Sequence, residues 1–349
     1  MIYIKAAILH KLNAPLKIID DIEVPVLKKG QVLVKIKYAG LCHSQLMEAK
    51  GLRGQDKYLP HMLGHEGIGE IIDKGPGSKK FNVGDQVVLG WIKSSGLDGG
   101  PTQYYSQSLG KINAGAVTTF SNYAVISENR LYKKPKGTPD RLSVLYGCAL
   151  PTGAGLVLND LKPKKGSSIV VLGLGGIGLS ALMACKKFLP STLIAIDTEP
   201  EKLELAKELG ATHAINSKDK NLKDTILSLT NNNGSDYCIE AAGLVSTIET
   251  AFSLIRRNGG ELIFASHPKS GDMISLDPFE LICGKYIRGT WGGSSQPDRD
   301  IQILGEMYRT GQLQLEKMLT HEYTLEDINT ARDDLQNRKI VRALITMEQ

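Results

Sequence analysis

A chain of 349 residues is long for a single core and ample for two domains. With 42% hydrophobic residues and 37 glycines outside any G-X-Y repeat, it has the make-up of a globular enzyme and not of a fibrous or disordered chain. The net charge of +5 is spread along the chain, and its densest basic clusters, Lys133-Lys134-Pro135-Lys136 and Lys162-Pro163-Lys164-Lys165, lie among prolines and glycines, which favours solvated loops over a nucleic-acid patch.

The cysteines are Cys42, Cys148, Cys185, Cys238 and Cys283, an odd set without paired spacing. The start, MIYIKAAILHKL, has neither a long apolar core nor a small-residue cleavage site. The expectation is a cytoplasmic protein with reduced thiols. The most apolar run, Ile169 to Cys185, is interrupted by four glycines and reads as a buried strand and helix start, not a membrane span.

In chain order, residues 2–9 and 31–38 are β-branched, partly alternating runs that predict strands, with Pro15 and Asp20-Asp21 marking turns between them. GLCHSQLME (40–48) is a glycine turn opening a short helix, and LGHEGIGEII (63–72) enters a strand. VGDQVVL (83–89) predicts another strand after the turn at Gly75-Pro76-Gly77. Residues 91–121 show no regular pattern and no cysteine; TFSNYAVIS (119–127) returns to strand, and GCALPTGAG (147–155) leads into a helix towards Leu161. Many short strands with glycine turns predict an irregular, mainly β, barrel-like domain.

From Gly166 the rhythm becomes βαβ. Residues 168–172 form a strand without alternation, as expected of a parallel sheet covered on both faces. Residues 194–197 supply the next strand, and Thr198 with Glu201 has a capping-box pattern before a helix over 202–209. Strands near 213–215, 236–241, 261–265 and 286–290, with helices near 221–230 and 246–256, complete a six-stranded, doubly wound parallel sheet. A helix over 325–337 and a strand over 340–346 close the chain.

GLGGIG (173–178) is G-x-G-x-x-G. Here it follows a strand, opens a helix, and precedes Asp197, which stands 19 residues beyond the last glycine. Gly173 permits the tight turn, Gly175 lets backbone approach a pyrophosphate, and Gly178 lets helix and strand pack closely. With Gly176 and Ile177 at the helix start, these residues and Asp197 form the predicted dinucleotide site. Asp197 would accept the adenosine-ribose hydroxyls and repel a 2′-phosphate, which favours NAD over NADP.

Cys42, His65 and Cys148 are too far apart for spacing alone to make a metal site, and each singly is more often a packed core residue than a ligand. Each lies in a glycine-rich turn that could aim a ligand, and together they would form a Cys₂His set that leaves one position on zinc open.

Taken jointly, GLCHS (40–44), GHEGIGEI (64–71), GCALPTGAG (147–155), GLGGIG with Asp197, and RGTWGGSS (288–295) resemble the medium-chain, zinc-dependent alcohol dehydrogenases over essentially the whole chain. THEYTLEDINTA and RKIVRALI in the tail resemble the glutathione-dependent formaldehyde dehydrogenase branch. The resemblance implies an α/β fold in which a GroES-like catalytic domain over 1–150, completed by 292–349, accompanies a Rossmann domain over 151–291. It implies that Cys42, His65 and Cys148 hold one catalytic zinc per subunit, with Glu66 beneath the metal and able to ligate it during water exchange. It further implies that Ser44 binds the substrate oxygen and passes its proton on. His43, Thr152, Lys202 and Arg342 become cofactor contacts, at the phosphates, nicotinamide, ribose and pyrophosphate respectively, and backbone near Gly292 and Gly293 lines the cofactor cleft.

Three departures matter. The family's structural zinc lobe carries four cysteines in the region of 91–121, where this chain has none, so one metal and not two is expected. Met47 stands where many members carry a relay histidine, and Gln45 stands where an aspartate usually steadies the zinc histidine. The function expected is reversible hydride transfer between an alcohol and its aldehyde or ketone, with NAD as cofactor and a homodimer or homotetramer as assembly. A biosynthetic aldehyde reductase of the same family and an inactive NAD-binding scaffold are the alternatives. No nucleic-acid or membrane partner is expected.

Overall fold

The computed structural model describes residues 2–347, and the chain divides into two units. The first holds the residues up to Cys148, Gln296–Glu306, and the chain from Leu319 onward; the second holds Ala149–Ser295 and Met307–Met318. Residues 307–318 thus group with the second unit, although they lie within the 292–349 stretch expected in the first. Their apolar side chains explain this: Leu313, Leu315 and Met318 are buried, and the Met318 sulfur lies 3.9 Å from Ser180 Oγ of the second unit.

In the first unit, Tyr3–Leu9, Lys17–Glu23, Thr102–Ser106, Gly110–Ala114 and His61–Met62 close into a barrel. Alternate residues, among them Ile4, Ala6, Ile8, Tyr104 and Ile112, fill its interior. A second sheet runs in the order Leu131–Lys133, Gln86–Gly90, Glu66–Lys74, Gln31–Leu41, Ala343–Thr346, His321–Thr324, and Tyr123–Ser127 also pairs with the long Gln31–Leu41 strand. That central strand delivers the chain to Cys42.

Two expectations are corrected here. Asp20 and Asp21 lie inside the Lys17–Glu23 strand, not in a turn; the Asp21 carboxylate accepts Ser106 Oγ–H at 2.5 Å and Ser108 N–H at 2.8 Å, tying that strand to the neighbouring hairpin. The patternless stretch 91–121 supplies the Thr102–Ser106 and Gly110–Ala114 hairpin. Its cysteine-free loop is tied down by ordinary side chains. Lys80 Nζ reaches Ser94 Oγ, Ser95 O, Leu131 O and Asp298 at 2.8–3.0 Å, and Glu128 accepts the Lys80 and Leu97 N–H groups, both at 2.8 Å.

In the second unit six strands are all parallel, in the order His213–Asn216, Thr192–Asp197, Ser168–Leu172, Tyr237–Glu240, Glu261–Phe264, Tyr286–Gly289. This is the doubly wound order, with its switch point beside Ser168–Leu172, where a dinucleotide would sit. The Gly176–Cys185 helix is nearly all buried, which accounts for its lack of a polar face. The capping box expected at Thr198 is not formed. The helix begins at Pro200, already at the fixed φ that suits a first turn, and Thr198 Oγ1 donates to Glu199 Oε1 instead. Among the described residues, no single helix is long and apolar enough to cross a membrane.

Candidate metal centre and dinucleotide turn

The first unit brings Cys42, His65 and Cys148 together although they are far apart in sequence: one ligating atom from each lies within 4.8 Å of the others. Cys42 follows the central strand and caps the His43–Ala49 helix; His65 precedes the Glu66–Lys74 strand; Cys148 follows the short Val144–Gly147 helical turn. All three cysteine and histidine positions are buried or half-buried.

The electrostatics show what this donor set lacks. A hydrogen bond from Cys148 holds the Cys42 thiol well below its usual range against the effect of burial, with His65 and Arg342 adding to the shift. The same bond, with burial, pushes Cys148 well above its range. The shared hydrogen bond thus drives the two thiols in opposite directions. Burial pulls His65 down, but its hydrogen bond to Cys42 and the negative charge on Cys42 outweigh burial and raise it. Two sulfurs and an imidazole held this close fit a divalent cation such as zinc, which would take the place of the protons they now share.

Glu66 lies beside the cluster with its side chain fully buried. Arg342 Nη2 forms an ion pair with Glu66 Oε1, and the Arg342 side chain is 5% exposed. Burial raises the Glu66 carboxyl, and the Arg342 charge opposes it. Oε2 of Glu66 and Nε of Arg342 are buried without a partner. Gly40 and Gly147 make room for this acid. A Cβ on Gly40 would run into Glu66 Oε1, and one on Gly147 would meet Glu66 Cβ at 2.8 Å.

On the His43–Ala49 helix, His43 is exposed, while Ser44 Oγ is buried with no hydrogen-bond partner. Met47, one turn on, is half-buried and offers no proton-carrying group. Gln45 is 2% exposed, and its Nε2 lies 2.7 Å from His65 Nδ1, so the amide does stand behind the histidine.

The second unit holds the glycine turn. Gly173 has φ +92° and sits so close to Ala242 N (2.6 Å to a built Cβ) that a side chain has no place there. A Cβ on Gly178 would run into the Gly173 carbonyl, as close helix packing requires. Gly175 is different: a Cβ there would meet nothing within 4 Å, so packing does not demand a glycine, and its bareness leaves the N–H groups of Gly176 and Ile177 approachable. Asp197 accepts Leu174 N–H at 2.7 Å, Thr198 N–H at 2.8 Å and Glu199 N–H at 3.1 Å, which clamps strand end to glycine turn. Lys202 is half-buried on the Pro200–Glu208 helix, and Thr152 Oγ1 is buried without a partner on Ala149–Gly155.

One residue absent from the sequence reading supports this turn. Glu240, at the end of the Tyr237–Glu240 strand, is fully buried and accepts Ala242 N–H at 2.9 Å, Gly243 N–H at 2.8 Å and Thr247 Oγ1–H at 2.7 Å. It fixes the loop against which Gly173 packs. Its sequence signal is an acid inside an otherwise apolar strand, CIEAAG.

Comparison with known proteins agrees with this geometry. Residues 28–136 match the alcohol dehydrogenase GroES-like domain, and residues 176–307 match the zinc-binding dehydrogenase domain. An S-(hydroxymethyl)glutathione dehydrogenase of Synechocystis sp. is 31% identical over 98% of this chain and 99% of its own length. Among solved structures, an alcohol dehydrogenase zinc-binding domain protein from Burkholderia ambifaria superposes with a TM-score of 0.90 at 30% identity, covering both chains fully. The benzyl alcohol dehydrogenase of Acinetobacter calcoaceticus gives 0.89 at 29% identity, again over the whole of both chains.

Proposed function

The chain belongs to the medium-chain, zinc-dependent alcohol dehydrogenases, and on that footing we propose that it interconverts a small alcohol and its aldehyde or ketone by hydride exchange with NAD(H). The observation that carries the reading is the convergence of Cys42, His65 and Cys148 within 4.8 Å. Zinc bound there supplies a positive charge that lowers an alcohol's pKa and steadies negative charge on its oxygen.

The chain's own residues do the rest. Ser44 Oγ, buried and unpartnered, is free to take the alcohol proton; Met47, one turn on, offers no group to carry it further, so the ribose of a bound cofactor and water would receive it. Glu66, compensated by Arg342, keeps a carboxylate within reach of the cluster for ligand exchange. Arg342 would hold the cofactor's pyrophosphate and His43, exposed on the first helical turn, its phosphates when it is bound. Gly173, Gly175, Gly176, Ile177 and Gly178 cradle the dinucleotide, Asp197 and Lys202 hold its adenosine ribose, and Thr152 Oγ1 meets the nicotinamide. Asp197 uses three of roughly four acceptor positions on the protein, which leaves capacity for a ribose hydroxyl and none for a second negative charge.

We place the enzyme in the cytoplasm, where its thiols stay reduced, and as a homodimer or homotetramer. The sheet-edge strand Tyr286–Gly289 has exposed apolar neighbours in Ile282 and Trp291, which supports pairing there. The test is a screen of alcohols and aldehydes by NADH absorbance with zinc measured in the same sample. Turnover should follow zinc content at one ion per chain; a zinc-free preparation with full activity would refute the proposal.

A further inference from the structure

Gln45 joins the metal centre to the start of the helix that carries Ser44. Its Oε1 accepts the Cys42 N–H at 2.8 Å, while its Nε2 faces His65 Nδ1 at 2.7 Å, all in a site where the Gln45 side chain is 2% exposed. One carboxamide therefore serves two neighbours at its two ends. Cys42 N–H is always a donor. His65 Nδ1 is a donor or an acceptor according to the tautomer of the ring.

With Nδ1 taken up by the amide, Nε2 is the nitrogen left to ligate a cation. A neutral imidazole that ligates through Nε2 carries its proton on Nδ1, so Nδ1 becomes a donor. Gln45 then stands between two donors with a single carbonyl oxygen. Whichever way round the amide lies, its NH₂ is turned on one of them, on a side chain that is itself 2% exposed. A carboxylate at the same position would accept from both.

We propose that metal loading at Cys42, His65 and Cys148 turns the Gln45 amide over, moving its oxygen from Cys42 N–H to His65 Nδ1–H, and that the Cys42 N–H so abandoned makes Gln45 a built-in weakener of this metal site. Gln45 acts through His65 and is a positioning residue, not a catalytic one. The inference rests on the zinc reading above.

The test uses full-length metal-free protein titrated with zinc against a chromophoric chelator, as wild type, Gln45→Glu and Gln45→Met. Gln45→Glu, the same shape with two acceptors, should tighten zinc by about 10–100-fold, the range over which outer partners of a ligating histidine act. Gln45→Met, the same length with neither hydrogen bond, should change it by less than about 3-fold, well short of that range. In ¹⁵N-resolved spectra of the wild type, the Cys42 amide proton should move upfield on zinc loading relative to the same step in Gln45→Glu. A Gln45→Glu variant no tighter than wild type overturns the proposal, as does a Gln45→Met variant weakened tenfold or more, or a Cys42 amide that shifts equally in both proteins. A wild type that binds no zinc refutes the zinc reading itself, and so is distinguishable from failure of the Gln45 proposal alone.

Discussion

Replacing Arg342 by methionine removes the guanidinium that pairs with Glu66 in a place where the two side chains are 5% and 0% exposed. Truncating one member of a buried ion pair costs about 3–5 kcal/mol, because the other charge is left uncompensated. Two features of this site place the change within that range. Arg342 also lies close to the sulfurs of Cys42 and Cys148 and favours negative charge there, so its loss removes that support as well and pushes the cost up. Against this, burial already raises the Glu66 carboxyl, so Glu66 can take up a proton once its partner is gone, which limits the cost. The expected destabilisation of the metal-free chain is about 3 kcal/mol.

Urea unfolding of wild type, R342M, E66Q and the double variant measures it. Because E66Q removes the orphaned charge, the double variant should be more stable than R342M alone, with a coupling of at least ~2 kcal/mol. The pH dependence has a definite sign. Glu66 titrates higher in the folded chain than in the unfolded one, so its contribution is fully present below the ordinary carboxylate range and is lost as pH rises through the folded value. Without Arg342 that folded value moves higher still, so the gap between R342M and wild type should widen as pH rises. A loss below ~1 kcal/mol, strictly additive variants, or a gap that narrows with pH would refute the reasoning.

Cys148→Ser should lower bound zinc from one ion per chain to a small fraction and abolish turnover, while NADH binding, followed by fluorescence, stays within a factor of about 2 because the glycine turn belongs to the other unit. Asp197→Ser should narrow the preference for NAD over NADP by at least tenfold, about 1.4 kcal/mol, in kcat/KM; an unchanged ratio would remove Asp197 from the adenosine site. Asp236 is pulled below its ordinary range despite burial, by Ser168 N–H and Oγ–H and by Arg256. Its folded value lies below the unfolded one, so its contribution is present above about pH 4 and lost as pH falls; Asp236→Asn should flatten the acid limb of the stability profile.

The second unit was legible in the sequence because its physics is local: uninterrupted apolar strands, a glycine turn and an acid at a strand tip each carry their own signal. The barrel was less so. In Thr102–Ser106 the inward positions are Thr102, Tyr104 and Ser106, so polarity does not alternate even though burial does, and each hydroxyl finds a partner distant in sequence, as Ser106 Oγ does with Asp21. The helix over Pro297–Arg309 carries a buried stripe of Ile301, Leu304 and Met307, but charged residues surround it, and the sequence reading contains no helix there. Spacing could not unite Cys42, His65 and Cys148. Only the long Gln31–Leu41 strand and its neighbours do that, through non-local pairing.

The glycines beside the metal cluster are where sequence and structure part most usefully. In sequence, Gly40, Gly64 and Gly147 all look like places where backbone bends to aim a ligand. Only Gly64, at φ +94°, has a conformation that a side chain resists; Gly40 and Gly147 do not. Gly40 is hemmed in by the Glu66 side chain, and Gly147 first by the Leu89 carbonyl and then by Glu66. A methyl at Gly147 would meet the Leu89 carbonyl and Glu66 Cβ, neither of which is the free end of a flexible chain, while one at Gly40 would meet the carboxylate that Arg342 holds. Gly147→Ala should therefore destabilise the metal-free chain by about 1–3 kcal/mol, the usual cost of overpacking, and E66A should recover little of it because Cβ remains. Gly40→Ala presses only on the outer atoms of Glu66, so E66A should recover most of its loss. Failure of E66A to rescue Gly40→Ala, with stability in thermal unfolding read against E66A alone, would show that Gly40 serves the backbone after all and that Glu66 is merely its neighbour.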